Sequence, residues 1–257
     1  MAELTPNRIG ADIAACLGFF TRLPAARLGF GETNFADALW AAPVAGAVVG
    51  LVAGIAFAVT AWFGLPPSLS AIVALAAAIL VTGSLHEDGV ADIADGFGGG
   101  NTRERKLEIM KDSRNGTFGV VALAMVLLAR WAAIAAVGAS GDALFALVAA
   151  HAASRALLPG FMRSVKPAKP GGLSAGIGEI PSNVALAGFG LGGLALLLLG
   201  PAAAIAAVIC LALLFVGMKW LTESQIGGQT GDVVGALQQA GEIVVLFVAA
   251  SHFLHAV

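Results

Sequence analysis

Four acidic side chains, Glu87, Asp88, Asp92 and Asp95, stand within nine residues in the stretch Gly83-Ser-Leu-His-Glu-Asp-Gly-Val-Ala-Asp-Ile-Ala-Asp-Gly96. Asp88, Asp92 and Asp95 follow one another at i, i+4 and i+7, so a helix here would point all three from one face. Carboxylates are hard oxygen ligands suited to Mg²⁺, which uses one or two of them and completes its shell with water and substrate phosphates. Gly89, Gly96, Gly98, Gly99 and Gly100 allow a ligand close to the backbone, and the cationic stretch Arg103 to Arg114 follows at once. An anion held by metal on one side and by Arg or Lys on the other is the arrangement that phosphoryl transfer needs. The plainer alternative is a solvated acidic helix end at a membrane surface.

That alternative names the surroundings. Charged residues make up 12% of the 257 and hydrophobic ones 58%, where soluble domains carry about 25% charged residues. Apolar runs of about 20 residues, the length that crosses a hydrocarbon core, recur along the chain. They fall at 39–63, 69–85, 118–137, 143–158, 184–199, 202–218 and 235–254. The N-terminus lacks the basic start and long apolar run of an export signal, and its patch Ile13 to Phe20 is placed along the interface. The fold class expected is an all-α, polytopic membrane bundle of about seven transmembrane helices, one domain over 1–257, because backbone amides in lipid need internal partners. Pairs such as Gly46/Gly50 and Gly50/Gly54 suit close bundle packing.

Lys and Arg mark the orientation, since cytoplasmic loops carry an excess of them. Arg8, Arg22 and Arg27 precede the first span, Arg103 to Arg114 follow the second, and Arg163, Lys166 and Lys169 follow the fourth. The opposite connections hold neither residue type, so the N-terminus and the polar loops at about 86–117, 159–183 and 219–234 are expected in the cytoplasm. Cys16 and Cys210, both in apolar segments, read as small core residues rather than a disulfide. Arg130 and Glu242 lie inside spans and are expected to pair, whereas Arg155 is placed near enough to the cytoplasmic end to reach the site. His252 and His255 read as surface residues. The loop Arg163 to Ser182 reads as plain linkage or as a lid over a substrate.

The stretch His86 to Gly96, followed by Arg105-Lys-Leu-Glu-Ile-Met-Lys-Asp-Ser-Arg-Asn-Gly-Thr-Phe-Gly119, strongly resembles the cobalamin synthase family, the adenosylcobinamide-GDP ribazoletransferases. Phe19-Phe-Thr-Arg-Leu-Pro24 resembles that family's N-terminal motif, and Gly227-Gly-Gln-Thr-Gly-Asp-Val-Val-Gly235 its C-terminal motif; Arg155 falls where the family has an arginine. Glu87 departs from the pattern, standing where the family commonly shows an apolar residue.

The resemblance implies a reaction at the last stage of vitamin B12 assembly. A GDP-activated corrin ring is joined to α-ribazole, or to its 5′-phosphate, with release of GMP and use of Mg²⁺. It implies Asp88, Asp92, Asp95 and Asp232 as metal ligands, and His86 or one of the aspartates as proton acceptor. Lys111 and Arg114 would contact phosphate, Arg114 because its fork engages two oxygens. Arg22, Asp112, Arg155, Gly228 and Thr230 would bind substrate; Asp112 could instead ligate metal or orient Arg114. His86 could equally be a helix-end residue that holds its neighbours by a hydrogen bond. Arg103, Arg105 and Lys106 read as positive-inside anchors. The implied setting is the bacterial inner membrane with the site facing the cytoplasm, with other cobalamin-assembly enzymes as partners and no nucleic acid.

Two other functions fit the composition. One is a different Mg²⁺- and diphosphate-using membrane transferase, such as a CDP-alcohol phosphotransferase, but Asp88-Gly-Val-Ala-Asp-Ile93 puts Ala91 and Asp92 out of register with that motif. The other is a divalent-cation transporter, which would place its acids near the bilayer midplane rather than at a boundary.

Overall fold

A computed structural model describes residues 5–254, and His255 lies outside them. Twelve α-helices occur in the order α1 (Pro6–Phe20), α2 (Phe35–Ala38), α3 (Ala42–Trp62), α4 (Pro67–Thr82), α5 (Leu85–Gly99), α6 (Arg103–Ile109), α7 (Thr117–Val137), α8 (Ser140–Ser164), α9 (Leu173–Ile177), α10 (Ser182–Leu196), α11 (Pro201–Ile226) and α12 (Gly231–Leu254). The described residues contain no strand, only an isolated bridge between Pro167 and Gln229. The protein is an all-α membrane bundle. Six segments are long and apolar enough to span, and α4 joined to α5 makes up to seven. Six of the seven runs read from the sequence fall on these spans; the run 69–85 covers α4, 16 residues long, which counts as a span only together with α5.

The core is built on α8. In its apolar stretch 83% of the residues are buried, against 22% in α7 and in α11, and it packs on α3, α10 and α12. The outer helices turn Leu80, Met125, Leu213 and Trp220 outward, as expected where lipid replaces water. Cys16 is buried, but Cys210 faces outward on α11, which corrects its reading as a core residue. The periodicity of so uniformly apolar a helix does not mark which side meets lipid.

Glycine sets the tightest contact. A Cβ on Gly46 or Gly50 would run into the backbone carbonyls of His151 or Leu147 on α8, so the small-residue ridge of α3 serves packing within the chain. Gly50→Ala should lower the midpoint of thermal unfolding in detergent, by overpacking that costs about 1–3 kcal/mol; an unchanged midpoint would show that α3 and α8 are not pressed together there.

Two helix ends differ from the expected boundaries. α8 continues through Pro159 to Ser164, because proline removes only one internal hydrogen bond and the flanking turns carry the helix on. α11 runs to Ile226, ending where Gly227 takes φ 73°. Between α4 and α5 the chain bends by 90°, through Gly83 at φ 66° and Ser84 at φ 60°. Two successive left-handed residues turn the chain sharply without a long loop.

The Lys- and Arg-bearing connections meet on one face. Arg103 donates to the Ala168 carbonyl, Lys106 to Gln225 Oε1, and Lys219 to the Ser164 carbonyl. Arg103 and Lys106, read as membrane anchors, thus also tie the three cationic loops together.

Candidate active site

Helix α5 carries the acidic residues and runs antiparallel to α12. Gly89 lies against Asp232, and Gly235 lies against His86; a Cβ at Gly89 would press on the Asp232 backbone, so glycine there brings the two helices together. Asp92, a turn further along α5, lies outside the apolar runs read from the sequence. The helix predicted from the i, i+4, i+7 spacing forms. Seven residues, however, advance about 10 Å along the axis, so its three aspartates do not end in one place.

A cavity of about 360 Å³ opens at this end of the bundle. His86, Asp88, Lys111, Thr230 and Asp232, all nominated from sequence, line it together with Lys169. Thr230 donates its hydroxyl to Asp232 Oδ2 at 3.1 Å and accepts the Val233 amide at 3.3 Å. That pair fixes the Asp232 carboxylate at the start of α12. Phe19, Phe20, Phe35, Leu158, Met162 and Ile177 give the same cavity its apolar lining, with Phe20 stacked on the His86 ring at 5.9 Å. The connection between α8 and α10 contributes Lys169, Gly172, Ser174 and Ile177, so the segment read as linkage or lid forms one wall. It is pinned by backbone hydrogen bonds between Ala168 and Gln229 and between Gln229 and Lys166, of 2.8 and 2.9 Å. Gly228 allows this approach, since a Cβ there would meet the Lys166 carbonyl.

The remaining nominated residues lie elsewhere. Asp95 accepts the amides of Gly116 at 2.6 Å and Gly119 at 2.8 Å, capping the start of α7, where unpaired amides attract a carboxylate. Asp112 and Arg114 form an exposed pair at 2.8 Å beside Asp95 in a second, shallower cleft. Arg114's hydrogen bonds hold the Asp112 carboxyl down at about 2, so orienting Arg114 is the role the geometry gives Asp112. Arg22 is exposed and its guanidinium packs on Gly83. Arg155 does not reach the cavity. It is buried among polar groups, with Nη1 donating to the His151 carbonyl at 3.1 Å.

Those groups form a charged core between α5, α7, α8 and α12. Arg130 contacts Glu87 through Nη1 and Glu242 through Nε, both at 2.7 Å. Glu242 also contacts His151 Nδ1 at 3.1 Å. Gln238 donates to Glu242 and to Ser154, and Gln239 donates to Glu87. Arg130, Arg155, Glu87 and Glu242 balance to zero, the condition for holding charge inside a membrane bundle. The expected Arg130–Glu242 pair forms. Glu87, whose departure from the family pattern had no explanation in sequence, is Arg130's second partner.

Asp92 does not line the cavity, but it lies near enough to Asp88 and Asp232 to feel their charge, and the electrostatics of this group suit a cation. Asp92 is pushed up to about 7 by burial and by the neighbouring charges of Asp232, Asp88 and Asp95. Lys169 is lowered by partial burial and by the Lys111 ammonium, against the pull of Asp232. Among the described residues no three His, Cys, Asp or Glu side chains close into a protein cage. Mg²⁺ does not need one, because water and phosphate oxygens complete its octahedron around one or two carboxylates. Asp88, Asp92 and Asp232, all oxygen donors crowded enough to repel one another, fit such an ion.

A pH dependence follows with a definite sign. Asp92's folded value lies above its ordinary 3.8, so the folded chain holds a proton that the unfolded chain gives up. Stability without metal should therefore fall as pH rises from about 4 to 7. Divalent-cation affinity should fall by up to about tenfold per unit as pH drops below about 7, because proton and metal compete for that carboxylate. Titrating Mn²⁺ into the purified chain between pH 5.5 and 8 checks this, and a flat affinity would contradict it.

Sequence reasoning passed over Lys169, the phenylalanine wall and the glutamine pair. Lys169 stood in a proline-rich stretch with nothing to aim it. Phe19 and Phe20 were visible only inside the N-terminal motif.

An apolar bundle enclosing a balanced charge network, with a cavity of convergent carboxylates and amines at one face, defines the class: a polytopic membrane-embedded enzyme. A model of the cobalamin-5-phosphate synthase family matches residues 12–250. An adenosylcobinamide-GDP ribazoletransferase of Mesorhizobium japonicum is 54% identical over 246 residues, covering 96% of this chain and 95% of the relative. One from Bradyrhizobium diazoefficiens is 47% identical over 249 residues, covering 96% of each. One from Brucella ovis is 40% identical over 253 residues, covering 93% of this chain and 96% of the relative. The chain belongs to the cobalamin-5-phosphate synthase family and is an enzyme of this type. No solved structure matches it.

Proposed function

We propose that the chain uses Mg²⁺ to join adenosylcobinamide-GDP to α-ribazole, or to α-ribazole 5′-phosphate, releasing GMP. The observation that carries this reading is the meeting of Asp88 and Asp232 with Lys111 and Lys169 around one cavity, together with the names of the relatives. A bound Mg²⁺ would neutralise charge on the diphosphate as the bond to the leaving group breaks.

The chain's own groups do the rest. Lys111 and Lys169 hold phosphate oxygens against the carboxylate side. His86, buried with no hydrogen-bond partner at either ring nitrogen, faces the cavity where a ribose hydroxyl would enter. It accepts the proton as that oxygen attacks the phosphorus next to the corrin's aminopropanol arm. The new bond is O–P; the bond that breaks joins this phosphorus to the bridging oxygen, and GMP departs with that oxygen. The missing partner makes a proton-accepting role the better of the two roles open to His86. Arg114, exposed in the second cleft and paired with Asp112, takes no part in this step.

Orientation belongs to the same proposal. The cationic loops share a face with the cavity, and the positive-inside rule puts that face in the cytoplasm of a bacterial inner membrane. Incubating the purified chain with adenosylcobinamide-GDP, α-ribazole and Mg²⁺ should release GMP and form a corrinoid carrying the ribazole. No release with all three present would reject the function.

A further inference from the structure

The cavity is lined by aromatic and aliphatic side chains as well as by carboxylates and amines. We propose that it is the acceptor's site, and that it selects a nucleoside with a flat, weakly polar aromatic base. The inference rests on the function proposed above and assigns one of its two substrates to a place.

Three phenylalanines build the aromatic part of the lining. Phe19 and Phe35 rings sit with centroids 4.7 Å apart, and Phe20 lies parallel to the His86 ring, 10° between planes at 5.9 Å. Ile177 of α9 lines the cavity too, and shares a neighbouring cleft with Phe19 and Phe35. Such a wall binds a planar ring by stacking and by apolar burial. It offers no charged group to a base edge. Guanine, rich in donors and acceptors, meets Ser174 and Gln229 as the neutral polar side chains of the lining besides Thr230, and its remaining edge groups left unpaired against phenylalanine, leucine and methionine cost binding. A corrin is excluded by volume, since about 360 Å³ is near the small end for ligand sites.

A second observation points to the same ligand. His86 is 3% exposed and both of its ring nitrogens lack a partner. It lines the cavity with Asp88 and Asp232 and stacks on Phe20. A nucleoside with its base against the phenylalanines brings its sugar hydroxyls to this ring. The donor's diphosphate is then left to the carboxylates and lysines, with its corrin outside the cavity.

The test uses the full chain in detergent with three probes: α-ribazole, GMP and adenosylcobinamide-GDP. Phe35 is half-buried on a four-residue helix, so Phe35→Ala should fold; Ile177→Ala probes the same apolar lining from α9 should it not. The expected result is a KM for α-ribazole raised about tenfold or more, the order of a lost base stack, with the KM for adenosylcobinamide-GDP unchanged. Calorimetric titration of α-ribazole alone should weaken in parallel, and GMP should not displace it. Normal transfer with an unchanged α-ribazole KM would overturn this site and leave the function intact. Phe35-dependent binding of α-ribazole without any transfer would overturn the function and support the site. Displacement of α-ribazole by GMP would give the cavity to the donor instead.

Discussion

Asp92→Ala is expected to lower transfer by about 10²–10³-fold or more, the range for losing one preorganised electrostatic contact in a reacting site, while the protein remains folded. The second half of that expectation comes from the structure. Asp92 is raised to about 7 by burial and by Asp232, Asp88 and Asp95, so its charge opposes folding at neutral pH in the absence of a cation. Removing it relieves that repulsion. A loss of activity with unchanged or raised thermal stability therefore assigns the loss to chemistry. Measuring GMP release beside the unfolding midpoint separates the two, and an active Asp92→Ala enzyme would remove Asp92 from the metal site. Asp95→Ala should behave differently. Its carboxylate caps the Gly116 and Gly119 amides, so it should cost about 0.5–2 kcal/mol of stability and much less activity.

Arg130→Met is expected to be the most destabilising single change, by about 3–5 kcal/mol, because it leaves buried carboxylates uncompensated. Arg130 is 1% exposed and lies 2.7 Å from both Glu87 and Glu242. Without it, two glutamates face one arginine, Arg155, in the middle of the bundle. The network also reaches the site, since Glu87 sits one residue before Asp88 and holds the first turn of α5 to α7 and α12. Unfolding in a graded series of detergents should show the loss. Pairing Arg130→Met with Glu87→Met should recover part of it, because neutralising both partners removes the unpaired charge. Equal stability of wild type and Arg130→Met would mean that the network does not carry this charge balance.

The residues that announced chemistry were found where the chain changes character, and that contrast made them legible. A dense acidic stretch in a chain with so little charge stands out, and the apolar runs around it give spans directly because lipid tolerates little else. The Gly227 to Gly235 motif pointed to Asp232 and Thr230, and the fold brings both to the cavity. What sequence did not contain is direction. Asp95 and Asp88 share a helical face, yet they serve different places because the helix carries them apart. Arg155 stands near the cytoplasmic end of its helix by sequence, but its guanidinium turns back one turn to the His151 carbonyl inside the bundle. Glu87, a departure from the resembled family's pattern, made sense only once Arg130 stood beside it. The Asp95 and Glu87 assignments depend on partners 21 to 43 residues away, which no local pattern records.

Binding of a divalent cation to the carboxylates shared by α5 and α12 tests the account most directly. Mn²⁺ can be titrated into the purified chain and followed by electron paramagnetic resonance, with and without GDP as a diphosphate probe. The account predicts that the wild type binds Mn²⁺, binds it more tightly with GDP present, and loses both effects when Asp92→Asn is combined with Asp232→Asn. Equal binding by the wild type and the double variant would contradict it.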